Sequence, residues 1–106
     1  MKLGMVIYSN DGESVWNAFR LGVFSLKQGD AVSVFLLGKG VESQELDSEK
    51  FKVTEMMDQF VAAGGEILAC GTCLQLRHTE NTGVCSISTM ADLYRLVQDN
   101  DKILTF

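Results

Sequence analysis

Two cysteines three positions apart, in Cys70-Gly71-Thr72-Cys73, are the residues whose type and spacing best suit covalent chemistry. A thiolate is a nucleophile and a metal ligand, and two thiols one helical turn apart can close a disulfide or resolve a mixed one. The residues before them, Glu66-Ile67-Leu68-Ala69, read as a short apolar strand. Those after them, through Leu74-Gln75-Leu76-Arg77, are good helix formers. Cys70 is therefore expected at the carboxyl edge of a sheet, where the following helix presents free N–H groups and a partial positive charge. Such a place brings a cysteine pKa down from about 8.5 to as low as about 3.5–7.5. Gly71 would let a substrate approach the backbone, with Thr72 beside it, and Arg77 either adds positive charge or is simply a solvated helix residue. The inert alternative is that these cysteines are ordinary core residues, which is how Cys85 reads.

Other chemistries were weighed on the same residues. Cys70, Cys73, His78 and Cys85 give the spacing C-x2-C-x4-H-x6-C, with ligand types that suit tetrahedral zinc. Zinc knuckles, however, are short self-contained loops, whereas here the first cysteine ends an apolar strand in a chain long enough to fold without metal. We expect no metal, and the lone His78 stays outside the site. A nucleotide or flavin binder lacks its glycine fingerprint, since Gly38-Lys39-Gly40 is too short for a P-loop. A thiol–disulfide redox protein is the second reading of C-x-x-C, although the chain has no proline to supply the cis-proline of a thioredoxin-like site. No cofactor is expected.

The elements that must position the cysteines follow from hydrophobic pattern. Apolar runs at residues 3–8, 31–37, 67–70, 84–87 and 102–106 read as five strands, the first three nearly continuous, as in strands covered on both faces. Between them Val15, Ala18, Phe19, Gly22, Val23 and Leu26 form one helical stripe, with Asn10 or Asp11 as its cap and Gly29 as its end. Val53, Met56, Met57, Phe60 and Val61 form a second, closing at Gly64-Gly65. Met90, Leu93, Tyr94 and Val97 form a last one behind a Thr89–Asp92 capping box. Alternating strands and helices predict an α/β fold: a three-layer α/β/α sandwich around a five-stranded, mainly parallel sheet, spanning 1–106 as a single domain. Strand order stays open. Residues 38–48 form the only long polar connection, of the kind that borders sites or subunit contacts.

Composition narrows the partners. Hydrophobic residues at 46% and charged residues at 22% exclude a disordered or fibrous chain. A net charge of −5 with scattered Lys and Arg argues against nucleic acid. The apolar runs are far shorter than the roughly 20 residues a membrane helix needs, and the first one reads as a strand and not as a signal peptide, so we expect a cytoplasmic protein. Three cysteines are an odd number for a disulfide framework.

The run Gly64-Gly65-Glu66-Ile67-Leu68-Ala69-Cys70-Gly71-Thr72-Cys73-Leu74 resembles the cysteine motif of the DsrE/DsrF-like sulfur-relay family, which includes the TusD-type carriers. Its Cys-Gly-Thr-Cys-Leu core is also similar to the carboxyl-terminal half of YedF-like proteins of selenium metabolism. The likeness extends over the whole chain and implies the family's flavodoxin-related topology. It implies that Cys70 carries a persulfide, with Cys73 a subgroup addition; placed one turn away, Cys73 is expected to assist release by forming a disulfide with Cys70. It further implies a sulfurtransferase acting with sulfur donor and acceptor proteins, and a homo-oligomer, trimer or hexamer. Trp16, Leu21 and Phe24, beside the first stripe, either supply that contact or finish the monomer core. Where relatives have Arg-Gly after the motif, this chain has Arg77-His78. Whether sulfur or selenium is the cargo is not written in the motif.

Overall fold

A computed structural model describes residues 1–77 and 83–106, so His78, and the zinc reading that needs it, lie outside the described residues. The apolar runs become β1 (Lys2–Ile7), β2 (Ala31–Leu36), β3 (Glu66–Cys70), β4 (Ser86–Ser88) and β5 (Lys102–Thr105). They form one sheet in the order β4-β3-β2-β1-β5, and every pairing is parallel. Parallel neighbours require crossovers, supplied by α1 (Gly12–Lys27), α2 (Val53–Ala62), α3 (Gly71–Leu76) and α4 (Met90–Asp99).

Strand order decides the layers. The first three crossovers step in one direction and the last steps back past all of them to the far side of β1, so right-handed connections put α4 on the opposite face. Neighbouring residues of β1 record this: a Cβ on Gly4 would meet Leu96 and Asn100 of α4, while a Cβ on Gly22 of α1 would meet Phe60 and Met5. The expected three-layer α/β/α sandwich is therefore present, with one thick outer layer and one made of a single helix.

The thick layer packs around Phe60, fully buried in α2 and edge-on to Phe19 of α1 with centroids 5.5 Å apart. Gly22 and Gly65 both leave room for its ring, which a Cβ at either position would strike. Val15, Ala18, Phe19, Gly22 and Val23 are buried as their spacing predicts. Asp11 caps α1 by accepting the Ser14 N–H at 2.9 Å, and Gly29 follows in the left-handed region at φ 93°. Trp16 is half-buried against Phe51 and lies under Arg20, so it finishes the monomer core, while Phe24 stays 62% exposed.

Two expectations need correction. Of the stripe predicted for α4 only Leu93 packs inward: Met90, Tyr94 and Val97 are exposed, and Leu96 joins Leu93 against the sheet. A helix alone on its face needs only a narrow buried strip, here Leu96 beside Ile103 over Gly4. Its capping box is as predicted, with the Thr89 N–H donating to Asp92 at 2.8 Å. Residues 38–48 are not an open polar connection either. Gly38–Glu45 winds into a 3-10 helix that buries Val41 and Ser43, and the Ser43 hydroxyl donates to the Gly40 carbonyl at 2.6 Å. Gly40 sits so close to the Ile7 carbonyl that no side chain would fit. Among the described residues no helix is long and apolar enough to cross a membrane.

Candidate functional site

β3 carries Cys70 to the carboxyl edge of the sheet, and α3 begins at the next residue. Cys70 is the N-cap of α3 in extended conformation, with φ −61° and ψ 115°, and it is 7% exposed. Cys73, one turn on, is half-buried, and its thiol is near enough to Cys70 for the two to influence one another's protonation. Both are free thiols.

The connection after β2 reaches the same place. Gly38 takes a positive φ of 56°, and its N–H donates to Cys73 Sγ at 3.3 Å. Four residues on, Glu42 Oε2 accepts from Arg77 Nε at 3.1 Å, and Arg77 Nη1 donates to the Cys73 carbonyl at 3.3 Å. This ion pair, with both partners less than a third exposed, pins the 3-10 helix to the carboxyl end of α3. Arg77 is therefore a clamp, with its charge near Cys73, and its guanidinium already has oxygen partners.

Several influences compete at Cys73. Burial pushes its thiol up, and the Cys70 thiol beside it pushes the same way, whereas the Gly38 amide and the Arg77 charge pull it down. The upward causes win, so Cys73 stays a protonated donor facing Cys70. Cys85, 5% exposed just before β4, is pushed up to about 11 by burial. It behaves as the core cysteine the sequence suggests.

The space a Cβ on Gly71 would need is bounded by Ile87 Cγ2 at 3.0 Å, so the glycine leaves room for β4. Thr72 is exposed at the rim. The reversal of strand order, where open α/β sheets usually hold ligands, falls between β1 and β5. The cysteines lie instead where two connections on the same side of that reversal touch. A groove of about 470 Å³ between α1 and α2, lined by Leu21, Phe24, Lys27 and Met56 among others, includes no cysteine. Among the described residues no three His, Cys, Asp or Glu side chains converge on a point that could hold a metal ion.

Gly38 and Glu42 escape sequence reasoning as individuals. The one signal was regional: a glycine-containing connection leaving β2 at the edge where Cys70 leaves β3. The Glu42–Arg77 pair spans 35 positions, and nothing local marks it.

Comparison with known proteins accords with the geometry. A protein from Methanopyrus kandleri described as uncharacterized is 27% identical over 100 residues, covering 89% of this chain and 83% of the relative. The crystal structure of the ychN protein from E. coli superposes with a TM-score of 0.84 at 21% identity, over the full length of both chains. A conserved protein of unknown function, BT1422 from Bacteroides thetaiotaomicron, gives 0.78 at 18% identity, over 99% of this chain and 94% of the other. These likenesses establish the fold. The profile of one family matches from the first residue to the last, 1–106, and the strand-to-helix junction with its paired thiols lies inside that match: the chain belongs to the DsrE/DsrF-like family.

Proposed function

We propose that this chain is a sulfur-relay protein in which Cys70 accepts a sulfane sulfur, holds it as a persulfide and passes it to a partner protein. The observation that supports it is a pair of free thiols one helical turn apart, Cys70 as helix cap and Cys73 facing it, at the strand-to-helix junction of a DsrE/DsrF-like chain. A protonated donor facing Cys70 stabilises negative charge developing on that sulfur, in a site with little water to compete. Loading is an exchange. Cys70 as thiolate attacks the outer sulfur of a donor persulfide, the donor's S–S bond breaks, and the donor leaves as thiolate. Delivery repeats this with an acceptor thiolate attacking the outer sulfur on Cys70, and neither step consumes an oxidant.

Thr72 is exposed where an approaching partner thiol would meet the site, and Arg77 holds positive charge beside it. Donor and acceptor are proteins bearing a persulfide or a thiol, and the chain works stoichiometrically with them. As a relay of this family we propose a trimer or hexamer, with exposed Leu21 and Phe24 in the contact, testable by light scattering on Phe24→Glu.

Intact-mass spectrometry after exposure to inorganic polysulfide tests the carrier role. Wild type and Cys73→Ser gain one reducible sulfur atom, and Cys70→Ser gains none. Retention of the added sulfur by Cys70→Ser would move the carrier to another cysteine. The contact between the two thiols also favours a second reading, a dithiol–disulfide redox protein, which predicts loss of two hydrogens under mild oxidants with no sulfur gained from polysulfide.

A further inference from the structure

A persulfide on Cys70 has two ends. Its outer sulfur is open to an acceptor thiol, but its inner sulfur belongs to a residue only 7% exposed, which a thiol on another protein cannot easily reach. Cys73 is already there, in the first turn of the helix that Cys70 caps and close enough to influence it. Its sulfur is further held by the Gly38 N–H at 3.3 Å, and its backbone by Arg77 and, through Arg77, by Glu42. An attacking group held against its target reacts as if at very high concentration, provided the two atoms touch in the ground state. The donor on the Cys73 sulfur is the backbone amide of a different connection, the one that leaves β2. An amide aimed at a sulfur favours that sulfur's anion, the form needed for attack.

We propose that Cys73 is a discharging thiol that releases the sulfur of the Cys70 persulfide as inorganic hydrosulfide, leaving a Cys70–Cys73 disulfide. The inference rests on the persulfide reading above and adds to it a second product and a reductant requirement. In the step, the Cys73 proton passes to the outer sulfur of the persulfide. The Cys73 thiolate, met by the Gly38 amide, attacks Cys70 Sγ. The bond between Cys70 Sγ and the outer sulfur breaks, and the outer sulfur departs with the electron pair as HS⁻. Sulfane sulfur is reduced to sulfide while two cysteines are oxidised to a disulfide, so the electrons balance. A dithiol reductant, by thiol–disulfide exchange, then returns both cysteines to thiols. With such a reductant the chain liberates sulfide continuously; without one it discharges once.

The test uses the full chain, reduced, freed of reductant, loaded briefly with inorganic polysulfide in the cold and desalted. Intact mass and trapped hydrosulfide are followed together. In wild type the one-sulfur adduct decays to a species two hydrogens lighter than the reduced chain, with hydrosulfide appearing in step. In Cys73→Ser and Cys73→Ala the adduct forms but lasts at least about tenfold longer, the loss expected on removing a positioned intramolecular nucleophile. Equal adduct lifetimes in wild type and both variants, with no disulfide, would overturn the inference while leaving the carrier intact. Failure of wild type and both Cys73 variants to take up any sulfur on Cys70 would instead remove the carrier reading beneath it. Adding a dithiol to wild type in polysulfide releases hydrosulfide faster than dithiol and polysulfide do without protein; an equal protein-dependent excess in Cys73→Ser also counts against the inference.

Discussion

The paired strands β3 and β4 each bring a cysteine to the sheet, at opposite ends of their shared register: Cys70, opposite Ser88, is 7% exposed, and Cys85, just before the Ser86 that pairs with Leu68, is 5% exposed. Exposure alone does not distinguish them; the groups around each sulfur do. Cys70 has the Cys73 thiol as its neighbour, and beyond it a backbone amide and a guanidinium. At Cys85 the dominant influence is desolvation, which holds the thiol neutral. On two paired strands of one sheet, the groups brought in by the connections set the surroundings of each sulfur.

That contrast can be broken most directly by exchanging the cysteines' roles. Cys70→Ser abolishes sulfur loading from polysulfide, whereas Cys85→Ser loads as wild type; intact mass reads both, and equal loading in the two variants would erase the distinction. Next in size is thiol reactivity. With its pKa near 11, Cys85 is ionised in roughly one chain in a thousand at pH 8, so iodoacetamide modifies it at least about 100-fold more slowly than a free thiol, as followed by peptide mapping.

The same shift has a stability consequence of definite sign. A folded-state pKa raised above the ordinary 9.0 means that the folded chain keeps the proton longer, so this contribution is complete below pH 9 and is lost as pH rises through 11. Wild type therefore loses on the order of 2 kcal/mol more than Cys85→Ala between those limits, measured by urea unfolding at each pH. A parallel course for the two proteins would mean that the thiol is better solvated than its burial implies.

Smaller effects sharpen the picture on the Cys70 side. Gly38→Ala asks an L-residue to hold φ 56° and costs about 1 kcal/mol, while slowing discharge of the loaded sulfur because the amide leaves Cys73. Glu42→Gln weakens a partly exposed ion pair, costs no more than about 1 kcal/mol, and leaves sulfur loading on Cys70 intact.

How far the sequence could be read depends on the range of each interaction. The stripe from Val15 to Val23, the Asp11 cap and the Thr89–Asp92 box were legible because helical period and capping act within a few residues. The strand-to-helix placement of Cys70 was legible for the same reason. The α4 stripe was misread because periodicity reports an apolar side without saying which apolar side the sheet will take. The 3-10 helix was missed because Val41 and Ser43 sit among polar residues and are buried by packing against elements distant in sequence.

From the sequence alone came the α/β class, the parallel sheet and the pair of thiols one turn apart, since each is dictated by local pattern and by the crossovers that parallel strands demand. Tertiary structure alone decided the strand order, the single helix on one face, and the meeting of Gly38 and Glu42 with Cys73 and Arg77 across 35 positions. Such contacts depend on where two connections leave neighbouring strands, and strand adjacency is settled only when the whole core packs.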